Sequence, residues 1–145
     1  MPLHPLTVHL PIGLLLGNLV LTILALRRAD PTLEVAAYHC LWLGFLFILP
    51  AVAAGIWDAV RYLTGPVAHP DALGWINAHA ASGIALAVVY WQAWQIRRRN
   101  AMVLSDPQAR RGYLIRLGIG AALVVLSGWL GGHLVYVIGV GVQRS

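Results

Sequence analysis

The chain has 145 residues, of which 59% are hydrophobic and only 10% charged, and its mean hydropathy is +0.74. That is one domain's worth of chain with far too little charge for a soluble domain, so it reads as an integral membrane protein. The net charge of +5 comes from ten arginines and no lysine; they sit at the ends of apolar runs, which points to membrane topology and excludes nucleic acid as the partner.

A bilayer core takes about 20 apolar residues per helix, and four stretches of a single transmembrane domain over 1–145 meet that need. The first is expected over 6–26 and stops at Arg27 and Arg28, with Pro31 as a breaker. No basic region precedes it and it leads into arginines, so it is expected to stay as a helix instead of being cleaved as a signal. The second, 33–57, contains Pro50, where a kink is expected because neighbouring helices can satisfy the freed carbonyl. A turn-rich stretch from Thr64 to Asp71 follows. The third, 73–96, ends in Arg97, Arg98 and Arg99. The stretch 100–111, with Asp106 and Pro107, reads as a loop, and the fourth helix is expected over 113–133. Beyond it, the glycine-punctuated tail through Val142 reads as leaving the membrane or lying along its surface.

Arg27, Arg28, Arg97, Arg98, Arg99, Arg110, Arg111 and Arg116 fall on one side of this arrangement, against Arg61 and Arg144 on the other. The positive-inside rule makes the first side cytoplasmic. The expected fold is therefore an all-α, antiparallel four-helix bundle in a bacterial inner membrane, with both termini outside. Trp57, Trp75, Trp91 and Trp94 suit an interfacial belt. Gly13 with Gly17 and Gly128 with Gly132 are small pairs suited to helix packing. Cys40 has no partner cysteine and reads as a small buried residue.

On that topology the histidines gather toward one end. His4 and His9 enter the first helix from outside, His69 is in the outer loop, His79 lies about two turns into the third helix, and His133 is near the outer end of the fourth. Asp58 joins them from the second helix, and only His39 is at the other end. Ionisable groups at membrane depth usually face the interior and mark a site.

Three chemistries can use such a layer. Haem b needs two neutral imidazoles on facing helices; His9 with Gly13, and His79 with Gly83, each combine a ligand with a cleared face one turn deeper, leaving His4 and His133 in reserve. Arg61, Arg144, Tyr62 and Tyr136 lie outside that level and suit propionates. A transition-metal site is the second reading, from His9, His79, His133 and Asp58. Proton relay is the third, but the cytoplasmic half offers only His39, Glu34 and Ser127. Ser82 has no carboxylate partner for nucleophilic chemistry, and Gly139 to Gly141 is too short for a phosphate loop.

Several motifs together carry a resemblance. They are His4-Pro5 with Val8-His9-Leu10-Pro11-Ile12-Gly13, Gly55-x-x-Asp58, Asn77-x-His79, and Gly128-Trp129-Leu130-Gly131-Gly132-His133-Leu134-Val135-Tyr136 followed by Gly139-Val140-Gly141-Val142. Over nearly its whole length the chain resembles a prokaryotic membrane-protein family, domain of unknown function 2231. The resemblance implies a four-helix membrane fold and a haem- or redox-associated role, and it carries over His9, Asp58 and His79. The position after Gly131-Gly132, acidic in that pattern, is His133 here.

Two functions are expected from different classes. One is a b-type cytochrome-like electron carrier, or failing haem a protein holding a transition metal. The other is a cofactor-free accessory subunit that packs, through its glycine faces, against a larger respiratory or photosynthetic complex or a second copy of itself in the lipid bilayer. Neither is a stand-alone enzyme.

Overall fold

The structure, a computed structural model, describes residues 3–66 and 69–140. Its regular elements there are four helices: α1 (His4–Arg28), α2 (Pro31–Leu63), α3 (Ala72–Arg99) and α4 (Pro107–Tyr136). Each is long and apolar enough to cross a membrane. At about 1.5 Å per residue, the shortest, with 25 residues, exceeds the hydrocarbon thickness.

The helices outrun the stretches read from hydropathy, and their ends explain why. Asp30 opens α2 and Asp106 opens α4: each carboxylate accepts the N–H two residues on, from Thr32 at 2.8 Å and from Gln108 at 3.0 Å. Pro31 and Pro107 fill the first helical position, where a missing N–H costs nothing. Pro31 is thus a starter, and the second half of the stretch read as a loop, from Pro107 on, is helix. α2 runs unbroken through Pro50 to Leu63. Ala29, at φ 50°, turns the chain out of α1. Gly141, Val142 and Arg144 lie outside the described residues.

α1 packs chiefly on α2 and α3 chiefly on α4, so the bundle is two helical hairpins. They meet through thinner contacts of α2 with α3 and α1 with α4. Glycine notches set the close approaches, and they differ from the expected pairs. A methyl at Gly44 would come within 2.7 Å of Leu15, and one at Gly120 within 2.7 Å of the Tyr90 ring. Gly13, Gly17, Gly128 and Gly132 have nothing within 4 Å of that position; those pairs face outward.

Leu15, Leu41, Ile48, Leu86, Tyr90 and Leu117 form the centre of the core. Large apolar side chains such as Leu49, Ile56, Ile84, Val125 and Trp129 are more than half exposed, the inside-out distribution of a protein covered by lipid. Near the arginine-rich end, Arg97 pairs with Glu34 at 2.6 Å and ties α3 to α2. Arg116, deeper along α4, turns its guanidinium back to the Gly112 carbonyl and to Gln92, as a long cation does inside a bilayer. Cys40 is a half-buried free thiol.

Candidate functional site: a head-on histidine pair

His4 is the first residue of α1, and the start of that helix lies alongside α2 well short of the end of α2. The Leu6 and Thr7 N–H groups of its first turn reach the Leu3 carbonyl, but the His4 N–H has no acceptor in its own helix. Leu3 at the cap offers no side-chain acceptor and the first turn holds no acid. Asp58 of α2 does the work instead, its Oδ2 accepting the His4 backbone N–H at 2.8 Å. A carboxylate at a helix N-terminus is favoured by the helix dipole. Asp58 is thus a cap supplied by another helix.

The imidazole of His4 turns into the seam between hairpins. Its Nδ1 is 2.7 Å from the Ala51 carbonyl oxygen, and its Nε2 is 3.3 Å from Nε2 of His79. His79, seven residues into α3, has Nδ1 at 3.1 Å from the Ser127 carbonyl oxygen, with the Ser127 hydroxyl farther away at 3.5 Å. Carbonyl oxygens only accept, so in both rings Nδ1 carries the proton and donates it. With both rings neutral, the two Nε2 atoms are then lone pairs facing each other. The ring centroids are 5.5 Å apart with the planes at 83°. With the two nitrogens at 3.3 Å, that separation leaves the rings nearly end to end, so the lone pairs point at one another.

Glycines make the room. A methyl at Gly55 would lie 3.0 Å from His4 Nδ1, and one at Gly131 would lie 3.2 Å from His79 Cε1. Each imidazole rests against a bare helix backbone, His4 on α2 and His79 on α4.

The site differs from the one read in the sequence. His9 is exposed and takes no part, because five residues at about 100° each turn it roughly 140° away from His4 around α1. Gly13 and Gly83, expected to clear a slot, have open space at their Cβ positions. His133 is stacked on Trp75 at 3.8 Å between centroids, beside Trp129. Among the described residues no group of three or more His, Cys, Asp or Glu is placed to hold a metal, so His9, His79, His133 and Asp58 do not form one ligand set. His69 is exposed in the loop after α2, and His39 bonds the Val35 carbonyl one turn back along α2.

A family model described as "Predicted membrane protein (DUF2231)" matches residues 1–144. The chain belongs to the DUF2231 family. Neither a curated protein nor a solved structure matches it.

Three motif residues that carried the resemblance to DUF2231 now have physical places: Gly55 and Gly131 seat the two rings, and Asp58 caps α1. What sequence reasoning missed is Ser127. Assigned to the far half, it lies beside His79 and supplies the carbonyl that holds that ring. It also passed over a second polar layer nearer the arginines, where Asn18 and Thr22 of α1 and Tyr90 of α3 are buried. Asn18 donates to the Ala37 carbonyl at 2.9 Å, while the Tyr90 hydroxyl has no partner among the described residues. Leu15, Leu41, Ile48, Leu86 and Val124 are the apolar core along the bundle.

Proposed function

We propose that this protein is a small b-type cytochrome-like electron carrier of a bacterial inner membrane, with His4 and His79 as the ligand pair and the histidine end facing outward. One observation carries the reading. Two imidazoles fixed through Nδ1 by main-chain carbonyls hold their Nε2 atoms 3.3 Å apart, and with both rings neutral these are opposed lone pairs that an electrophile between them would join.

The donor set, one imidazole nitrogen from each hairpin, would suit haem iron. His4 and His79 would hold the group through their Nε2 atoms, which stand 3.3 Å apart, and seating it would require the two rings to move apart. They belong to different hairpins, and the contact between hairpins is the thinner one. Haem bound there would supply one-electron transfer. The chain's own contribution is orientation. The Ala51 and Ser127 carbonyls fix the rotation of each ring, and Gly55 and Gly131 keep side chains away from them.

The test is an absorption spectrum of detergent-purified protein from haem-supplemented cells, oxidised and then reduced, with a pyridine haemochrome assay and elemental analysis on the same sample. A reduced α-band at about one haem per chain that disappears in His4→Ala and in His79→Ala supports the proposal. A flat spectrum with stoichiometric metal replaces it with a bare transition-metal site at the same two nitrogens. Neither haem nor metal ends both readings.

A second reading, the accessory subunit, is favoured by the outward-facing Gly13, Gly17, Gly128 and Gly132, whose bare backbones are open to a neighbouring helix. It predicts co-purification with a larger membrane complex or self-association, and no chromophore in the isolated chain.

A further inference from the structure

The end of the bundle opposite the histidines holds eight arginines and three acids, and the acids are all engaged. Asp30 and Asp106 cap α2 and α4, and Glu34 holds Arg97. Five positive charges are left there without an acidic counterpart. Two of the arginines line a cavity of about 170 Å³ between α2 and α3, together with Tyr38 and Ala101.

Those two are built in. Arg97 is held by Glu34, donates to the Ala101 carbonyl, and stands 5.7 Å from the Tyr38 ring centre. Arg98 lies over the Trp94 ring at 5.1 Å, and Trp94 in turn is stacked on Phe45 of α2 at 5.7 Å. A guanidinium lying on an aromatic face keeps its edge of N–H donors free for an oxyanion. Just inward is apolar aromatic surface; just outward are the exposed Arg98 and Arg99. A ligand that fits has a phosphate at the arginine level joined to an apolar body at the Trp94 level.

We propose that this cavity is a headgroup site for an anionic phospholipid of the leaflet at the arginine-rich end, its phosphate held by Arg98 with Arg97 and Tyr38 beside it. A zwitterionic lipid offers the same phosphate but adds a cation to a surface already in positive excess, so the site discriminates against it.

Native mass spectrometry of the full chain tests this with phosphatidylglycerol and phosphatidylcholine as probes, comparing wild type, Arg98→Lys, Arg98→Gln and Arg28→Gln. The Arg28→Gln variant removes a charge from the same end but outside the cavity. The site predicts a clear preference for phosphatidylglycerol. It falls about tenfold or more in Arg98→Gln, the worth of a charge-assisted hydrogen bond, and about fivefold or less in Arg28→Gln, the worth of one surface charge. Arg98→Lys keeps the charge but loses the planar fork, so its preference also falls several-fold. Equal losses in the two glutamine variants with no loss in Arg98→Lys would mean a diffuse field and no site. Full displacement by inorganic phosphate at equal concentration would mean a free-anion site, and equal retention of the two lipids would overturn the proposal outright.

Discussion

Nε2 of His4 and Nε2 of His79 face each other across 3.3 Å, although 75 residues separate them in the chain. Neither ring can rotate away without abandoning a carbonyl, Ala51 in one case and Ser127 in the other. If this pair holds haem, His4→Ala and His79→Ala each abolish the reduced α-band, whereas His9→Ala leaves it at wild-type intensity. Loss of the band in His9→Ala would mean that the ligand pair is misassigned.

The glycine seats give a subtler test. A methyl at Gly55 meets the His4 ring at 3.0 Å and one at Gly131 meets the His79 ring at 3.2 Å, so alanine there forces each ring to shift by a few tenths of an ångström. Cofactor content is expected to drop, or its spectrum to move, in Gly55→Ala and Gly131→Ala. Gly13→Ala and Gly83→Ala, with open space at their Cβ positions, are expected to match wild type.

Asp58 is expected to matter for stability through α1. Replacing it by alanine leaves the His4 N–H without its acceptor and removes a charge that the helix dipole favours, at a cost of about 1–2 kcal/mol. Asp58→Asn keeps an acceptor oxygen and loses the charge, so its thermal unfolding midpoint in detergent should fall between wild type and Asp58→Ala. Equal midpoints for Asp58→Ala and wild type would remove the capping role.

Glu34 and Arg97 offer a charge-reversal experiment with an asymmetric outcome. Breaking this partly buried pair with Glu34→Gln is expected to cost about 1–3 kcal/mol. Swapping the two charges in Glu34→Arg with Arg97→Glu should not restore it, because Arg97 also donates to the Ala101 carbonyl, which a carboxylate would repel. Recovery of the wild-type midpoint in the swap would show that the pair acts alone.

Tyr90 and Gly120 separate packing from hydrogen bonding. The Tyr90 hydroxyl is buried without a partner, so Tyr90→Phe is expected to leave stability unchanged or raise it slightly. Gly120→Ala drives a methyl to 2.7 Å from the ring and should cost about 1–3 kcal/mol. Because the closest contacts are to ring carbons, with the hydroxyl also near at 3.1 Å, Tyr90→Phe should rescue Gly120→Ala only in small part. Unfolding of the double variant checks this.

Much of the fold was legible in composition: four apolar stretches, arginines at one end and histidines toward the other. Helix ends were less so, because Asp30-Pro31 and Asp106-Pro107 read as breaks when an aspartate before proline is also a cap before a first helical turn. Depth along each helix could be counted from the sequence, which is why His79 and Asp58 were placed toward the same end of the bundle. Rotation could not, because in a lipid-covered bundle both faces of a helix are apolar and no amphipathic stripe says which way is in. That is how His9 was preferred to His4, and how outward glycine pairs were preferred to the single notches at Gly44, Gly55, Gly120 and Gly131.

The division into two hairpins has a consequence for synthesis. Everything that steadies the first imidazole, from Asp58 to the Ala51 carbonyl and the Gly55 seat, is translated before Leu63, and everything that steadies the second comes after it. A nascent chain halted between them carries one half of the histidine pair and nothing to close it. Completion of the histidine pair therefore waits until the second hairpin has docked on the first, so if the pair holds haem, capture would be a late step in the biogenesis of the protein.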